Sequence, residues 1–336
     1  MTISAVVTGV GRYLPKRVVD SKEVEDMAGF QKFGIRNGMV KLFTGVDKRH
    51  YAAEDEHCSD MAIEASKEAL KSSGLKPEDI DVVIFCAITQ DFAEPATANI
   101  IHGKLGTINA HCFDVKNACN AFVNGIDLAD SLIRSGKAKH VLIASGEVPS
   151  RMIKFNCETR EELERKNATL SVGDGGVAFV LSAIENTNRG IVDTHLLSMG
   201  QYWDQNVVWG GGVRFPRDTD KFYLSGETNK IIKDNYETAP VFFKECIEKT
   251  GWEVDSVDFF ILSQVTKYLQ KEMCRSLNIP QEKTISIIEK IGNTCAGGVP
   301  MAMYEAATLS KIKPGDRVVI IATAAGYSMA CICLVW

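Results

Sequence analysis

Two distant stretches of this chain are built to one plan, and that repetition limits the possible folds more than any other feature. The first runs from an apolar strand, Asp81-Val-Val-Ile-Phe-Cys-Ala87, to Ala118-Cys119-Asn-Ala-Phe, then a helical pattern ending at Ser135-Gly136 and a strand from His140 to Gly146. The second runs from Val257-Asp-Phe-Phe-Ile-Leu262 to Thr294-Cys295-Ala-Gly-Gly, then a helical pattern ending at Pro314-Gly315 and a strand from Arg317 to Ala322. With cysteine set on cysteine the spacings nearly agree: Val141 follows Cys119 by 22 residues and Val318 follows Cys295 by 23. The repetition predicts two similar halves, 1–184 and 191–336, joined through the polar, turn-rich stretch from Glu185 to Gly190.

Continuous apolar strands alternating with amphipathic helices predict an α/β fold whose mainly parallel sheets are covered on both faces. Ser59 to Ser73 carries Met61, Ala62, Ala65, Ala69 and Leu70 at helical spacing and stops at Gly74. Asn124 to Leu132 turns Ile126, Leu128, Ala129 and Leu132 largely to one side. The run Trp209-Gly-Gly-Gly212 and its charged continuation to Asp220 read as a surface excursion, either a lid or an ordinary long loop.

With 336 residues, 45% hydrophobic and 24% charged, the chain has the material for a large core. Its net charge of −5 and the lack of a basic cluster argue against nucleic-acid binding and for small-molecule chemistry. Ten cysteines form no C-x-x-C pair, and Cys331 and Cys333 alternate onto one strand face, so free thiols in a reducing cytosol are expected. The opening Met1-Thr-Ile-Ser-Ala-Val-Val-Thr-Gly9 is too short an apolar run for a signal sequence and lacks a basic lead. No stretch approaches the roughly 20 apolar residues that cross a bilayer. A cytoplasmic protein without membrane contact, metal or permanently bound cofactor is the expectation.

Chemistry points to Cys119. It lies between the apolar Phe113-Asp-Val115 and the start of a helix, where unpaired N–H groups and the positive end of the helix dipole lower a thiol's pKa. That reading makes it an acyl-accepting nucleophile; the alternative is a small buried apolar residue. Gly9-Val-Gly11 is no dinucleotide fingerprint, because the third glycine and the following helix are missing.

Taken together, Gly9-Val-Gly-Arg-Tyr-Leu-Pro15, Phe43-Thr-Gly-Val-Asp-Lys-Arg49, Asp114-Val-Lys-Asn-Ala-Cys119, Val172-Gly-Asp-Gly-Gly176, Gly292-Asn293-Thr294, Pro314-Gly-Asp-Arg-Val318 and Ala324-Ala-Gly326 make the chain resemble the ketoacyl-ACP synthase III branch of the thiolase superfamily almost end to end. The resemblance implies a thiolase fold, five αβαβα layers from two duplicated halves, and a homodimer. It implies that Cys119 takes an acyl group from a thioester and passes it to a second substrate, with the amides of Cys119 and Gly326 holding the oxyanion. It also implies that Asn293 donates to the acceptor's carbonyl. The local alternatives are a turn residue for Gly326 and a helix cap for Asn293. Cys295 is read as a packing residue at the place that Cys119 holds in the first copy. Asp174 is expected to tie its loop through backbone amides.

One departure stands out. The family places a histidine at the end of the strand Phe260-Ile-Leu262, and here aligning on Gln264 puts Ser263 there. A serine hydroxyl donates a hydrogen bond but is no acid or base near neutrality, so decarboxylation of a malonyl group should suffer. Gln90-Asp91-Phe92-Ala93-Glu94-Pro95 resembles a loop of the head-to-head acyl-condensing thiolases of olefin biosynthesis, where a glutamate enters the partner's site. Glu94 is therefore a candidate base, or else a solvated loop carboxylate. Gln264, Arg151, Arg49 and Lys267 are weaker candidates for substrate contacts.

The sequence thus predicts an acyl-thioester condensing enzyme or acyltransferase acting through a Cys119 thioester, with acyl-CoA or acyl-carrier-protein thioesters as substrates. Claisen-type β-ketoacyl formation in fatty-acid or secondary-metabolite synthesis is the first reading. Transfer to oxygen or nitrogen, or a catalytically weak partner subunit in a heterodimer with a paralogue, are the alternatives.

Overall fold

A computed structural model describes residues 3–226 and 228–336. Its first sheet is built from β1 (Ile3–Tyr13), β2 (Val82–Cys86), β3 (His111–Val115), β4 (His140–Glu147) and β5 (Gly175–Glu185), in the order β1-β5-β4-β2-β3. The second holds β6 (Gly190–Ser198), β7 (Phe259–Leu262), β8 (Arg317–Ala324) and β9 (Ser328–Val335), in the order β7-β8-β9-β6. The helices that cover them are α1 (Cys58–Ser73), α2 (Thr97–Leu105), α3 (Ala121–Arg134), α4 (Thr228–Lys249), α5 (Lys267–Ser276) and α6 (Gly298–Thr308).

Three apolar cores define five layers. Met61, Ala65 and Ala69 of α1 and Ile101 of α2 close one face of the first sheet over Val83, Phe85 and Leu142. Phe122 and Ile126 of α3 and Met301 and Ala302 of α6 fill the space between the sheets, against Ile84, Ile143, Ile261 and Ile320. Phe243 of α4 and Cys274 of α5 cover the outer face of the second sheet over Phe260, Val319 and Ile321. The alternation of Ile84 and Ile320 inward with Phe85 and Ile321 outward follows from the two-residue period of a strand. Every residue of β2 and β7 is buried, which is why both read as unbroken apolar runs. The layers are αβαβα, the thiolase fold.

Two details of the sequence reading change. The sheets are mixed: β4-β2-β3 and β7-β8 run parallel, whereas β5 and β1, and likewise β9 and β6, are antiparallel. The helix after Cys119 also begins at Ala121, three residues before Asn124. The duplication is sharper than cysteine matching allowed. The starts of β2 and β7 (82 and 259), of α3 and α6 (121 and 298), and of β4 and β8 (140 and 317) are each 177 residues apart. Left-handed Ala118 and Cys295, with φ of 47° and 53°, are 177 apart as well. The structural counterpart of Cys119 is therefore Ala296, and Cys295 matches Ala118.

The excursion after Trp209 starts from a small hairpin, in which Asn206–Val208 pairs with Leu224–Gly226. Trp209 meets Trp203 and Phe215 edge-on at 5.8 and 6.4 Å. Among the described residues no helix is long and apolar enough to cross a membrane.

Close approach of α1 to β4 leaves no room beside Gly146, where a Cβ would lie 1.9 Å from the carbonyl oxygen of Cys58. Gly103 in α2 has nothing within 4 Å of that position. Gly146→Ala should lose about 1–3 kcal/mol or more from forced backbone shifts, whereas Gly103→Ala should gain about 0.5–1 kcal/mol from helix propensity. Urea unfolding of the two variants checks this; equal stabilities would contradict the packing described.

Candidate active site

The segment between β3 and α3 is a tight turn. Left-handed Ala118 reverses the backbone, and the amides of Asn120 and Ala121 donate to the carbonyls of Asn117 and Ala118 at 3.0 and 3.1 Å. Cys119 is thereby set at the mouth of the helix, partly open to its surroundings. Its sulfur accepts from its own amide and from that of Ala325, in the turn joining β8 to β9. Next to Ala325 in that turn is Gly326, whose amide the family resemblance assigns to the oxyanion. Gly326 carries the bend itself, with φ of 103°, a conformation that favours glycine.

The acidified thiol expected at a helix start is not what the structure gives. Burial pushes the Cys119 thiol up to about 12, the carboxylate of Glu147 adds to the rise, and the two amides only offset part of it.

Glu147, at the end of β4, is the residue that sequence reasoning missed. It is fully buried, yet its carboxylate is well supplied: Oε1 accepts from the amides of Ile88 at 2.8 Å and Ala296 at 3.2 Å. Oε2 accepts from the amide and hydroxyl of Thr89 at 3.1 and 2.7 Å. Burial raises its pKa to about 7 against these hydrogen bonds. Its partners come from both halves, and its charge also raises the Cys295 thiol, together with burial, which is the larger cause. An acidic residue ending an otherwise apolar strand was the available signal.

Asn293 enters from the second half. Its backbone is clamped to the first half, accepting from the amide of Gly173 at 3.0 Å and donating to the carbonyl of Ser171 at 2.9 Å. Its Oδ1 accepts from the amide of Cys295 at 2.9 Å, which caps the turn and leaves Nδ2 without a partner among the described residues. Asp174 secures this clamp: it is buried and accepts from the amides of Ala52 and Ser150 and from the Ser150 hydroxyl. Burial raises its pKa to about 6. The Gly173-Asp-Gly loop is a support for Asn293.

Ser263 follows β7, and its Oγ accepts from the amide of Thr323 at 2.9 Å, which leaves its proton to donate. The weaker candidates serve internal contacts. Gln264 is buried, with Nε2 donating to the carbonyls of Leu262 and Ile285 and Oε1 accepting from the amide of Ile287. Arg49, with 0% exposure, donates to Ser21 Oγ and the Leu170 carbonyl and has no path to a ligand. Arg151 is exposed, but one of its nitrogens ties down the carbonyls of Ala53, Glu54 and Glu56. Lys267 pairs with Glu289. Glu94 lies exposed on its loop. Cys295 lies near Cys119, which adds to the rise that burial and Glu147 give its thiol.

The five-layer duplicated fold, with Cys119 at the repeated turn of one half and Asn293 beside that of the other, is that of the thiolase-fold acyltransferases. Two family descriptions match: 3-oxoacyl-[acyl-carrier-protein] synthase III over residues 113–200, and its C-terminal part over residues 247–336. A beta-ketoacyl-[acyl-carrier-protein] synthase III of Cereibacter sphaeroides is 32% identical over all of both chains. One of Clostridium perfringens is 31% identical over 96% of each. Among solved structures, synthase III of Aquifex aeolicus superimposes with a TM-score of 0.87 at 27% identity, covering 99% of this chain and 100% of that one. OleA of Xanthomonas campestris shares the fold with a TM-score of 0.90 at 23% identity, covering both chains in full. The chain belongs to the 3-oxoacyl-[acyl-carrier-protein] synthase III family.

The burial of Cys119 has a direct readout. In the protein without substrate, alkylation of Cys119 by iodoacetamide, followed by peptide mass mapping, should still be rising at pH 9, past the usual thiol value of about 8.5. Glu147→Gln should shift that profile to lower pH by removing a negative charge. A wild-type profile that levels off below pH 8 would show the helix start to dominate instead.

Proposed function

We propose that this chain condenses acyl groups through a thioester on Cys119, taking them from coenzyme A or an acyl-carrier protein and joining them to a second thioester in a Claisen-type step. The observation that carries this reading is the sulfur of Cys119 held between two amides. When the thiol attacks an acyl carbonyl, the amides of Cys119 and Ala325 are the donors available to the oxygen that gains charge. The sulfur expels the carrier thiolate, which leaves as the thiol with the proton given up by Cys119. In the second half-reaction the acceptor's carbonyl would take a hydrogen bond from Nδ2 of Asn293, with the Ser263 hydroxyl as a further donor.

No imidazole stands at position 263, so the acceptor's charge would be held by neutral hydrogen-bond donors alone. That favours an acceptor already activated, or a base supplied by a second subunit. Glu94 fits the latter role in a homodimer: it is exposed, as is neighbouring Phe92, and β3 ends the first sheet with its outer edge unpaired among the described residues. Pairing β3 with its copy would satisfy that edge. The unactivated thiol also favours a second reading, a weak subunit completed by a paralogue; activity that arises only on co-expression would support it.

Intact-protein mass after mixing with a panel of acyl-CoA and acyl-carrier-protein thioesters tests the first half-reaction. A gain equal to the acyl group, absent in Cys119→Ala, is expected; no gain with any donor would sink the transferase reading. Ser263→His should raise malonyl decarboxylation by about tenfold or more, since a positioned acid or base contributes about 10²–10⁴. An unchanged rate would mean that position 263 does not face the acceptor.

A further inference from the structure

Asn120 stands between Cys119 and the first residue of α3, the position where an asparagine ordinarily accepts from an amide of its own helix. Here its side chain makes no such cap. It is 1% exposed, and Nδ2 donates instead to the hydroxyl oxygen of Ser328 at 2.9 Å, 208 residues further along and itself buried. Its Oδ1 has no partner among the described residues. Giving up a cap and leaving a buried acceptor unpaired both cost stability, so the bond to Ser328 is not one this residue would make for the helix alone. The turn before α3 has a brace of its own, Nδ2 of Asn117 donating to Oδ1 of Asn124 at 2.6 Å.

Ser328 opens β9, and its partner across the hairpin is Ala324, the last residue of β8. Residues 325–327 are the loop that this pair closes, and the loop carries the Ala325 amide that reaches the Cys119 sulfur. Two bonds therefore join the same two segments, Ala325 to Cys119 and Asn120 to Ser328. Sulfur is a weak acceptor, so the first bond is a poor anchor for the tip of a hairpin. A buried amide–hydroxyl bond beside it stops the loop from pivoting about that contact. A further tie, from the Met199 amide to the Tyr327 carbonyl at 2.8 Å, holds the loop to the end of β6 and not to the nucleophile.

We infer that Asn120 is a positioning residue for acyl transfer: through Ser328 it holds the loop of Ala325 and Gly326 in register with the Cys119 sulfur, so that the loop's amides meet the oxygen that gains charge. The inference rests on the function proposed above and adds to it the part that sets the donors. A misplacement of ~1 Å can cost about 10²-fold in rate. Neither side chain is open to a ligand, so the affinity for the thioester should not change with the rate.

The test compares Ser328→Thr with Ser328→Val, which share a shape but not the hydroxyl, together with Asn120→Ala, all in the full-length protein. Single-turnover acylation of Cys119 by acetyl-CoA and octanoyl-CoA is followed by intact-protein mass. At saturation it should slow by about tenfold or more in the valine and alanine variants, with half-saturation within about twofold. The threonine variant should stay within about threefold of wild type. Joining Asn120→Ala to Ser328→Val should slow the step no further than the slower single change. Iodoacetamide alkylation of Cys119 at pH 9 needs no acyl transfer. Its rate should fall in the valine and alanine variants, where the thiolate loses a donor, and hold in the threonine variant. Equal behaviour of threonine and valine in both assays overturns the inference. Faster alkylation without the hydroxyl overturns it too, because the bond would then shield the sulfur and not serve it. If neither β-branched variant folds, Ser328→Ala is compared with wild type in their place. Falling alkylation in a protein that neither thioester acylates removes the transferase reading and leaves the tie between loop and sulfur standing; acylation that responds to none of these changes removes the role of Asn120 alone.

Discussion

The carboxylate of Glu147 sits at the seam of the molecule, buried from solvent, and four donors from two separate segments converge on it. Residues 88 and 89 follow β2 of the first sheet; Ala296 belongs to the turn that starts α6 in the second half. Removing a carboxylate from water is expensive, and an unpaired one would simply stay protonated. Its supply of amides keeps ionisation within reach of neutrality, at a pKa of about 7. The bond to Ala296 then fixes the second half's turn against the first half, next to Cys119. Burial, the larger cause, and the charge at that junction together raise the Cys119 thiol.

The last point follows from sign. Negative charge on Glu147 opposes negative charge on Cys119, so the anion of one disfavours the anion of the other. Below about pH 7 Glu147 takes up a proton and the opposition falls away, but burial of the sulfur remains and is the larger cause.

Much of this architecture could be read from the chain because it is local or periodic. Unbroken apolar strands, the helical spacing of Met61 to Leu70 and the repeated strand–turn–helix unit lead directly to layered halves. Register was harder, since two cysteines drew the alignment one residue out. The left-handed turn, not the sulfur, is what the halves have in common. Side chains whose roles depend on remote partners misled in both directions. Arg49, Gln264 and Lys267 have the chemistry of substrate contacts, but Ser21, Ile285 and Glu289 occupy them. Glu147 showed little in sequence because Ile88 and Ala296 lie 59 and 149 residues away.

The 177-residue offset also shows one backbone device carrying two different side-chain arrangements. In each half a left-handed residue, Ala118 or Cys295, turns the chain into a helix, and the third amide onward closes the turn: Asn120 onto Asn117, Gly297 onto Thr294. In the first copy the residue after the bend is Cys119, which sets a sulfur at the helix start. In the second copy that residue is Ala296, which offers only a backbone amide, and Glu147 takes it. The polar side chain instead stands ahead of the bend at Asn293, whose Oδ1 braces the bend at the Cys295 amide. Duplication thus supplied a matched pair of rigid turns, and a shift of three positions in which residue carries the polar group turned one into a platform for a sulfur and the other into a platform for an amide donor.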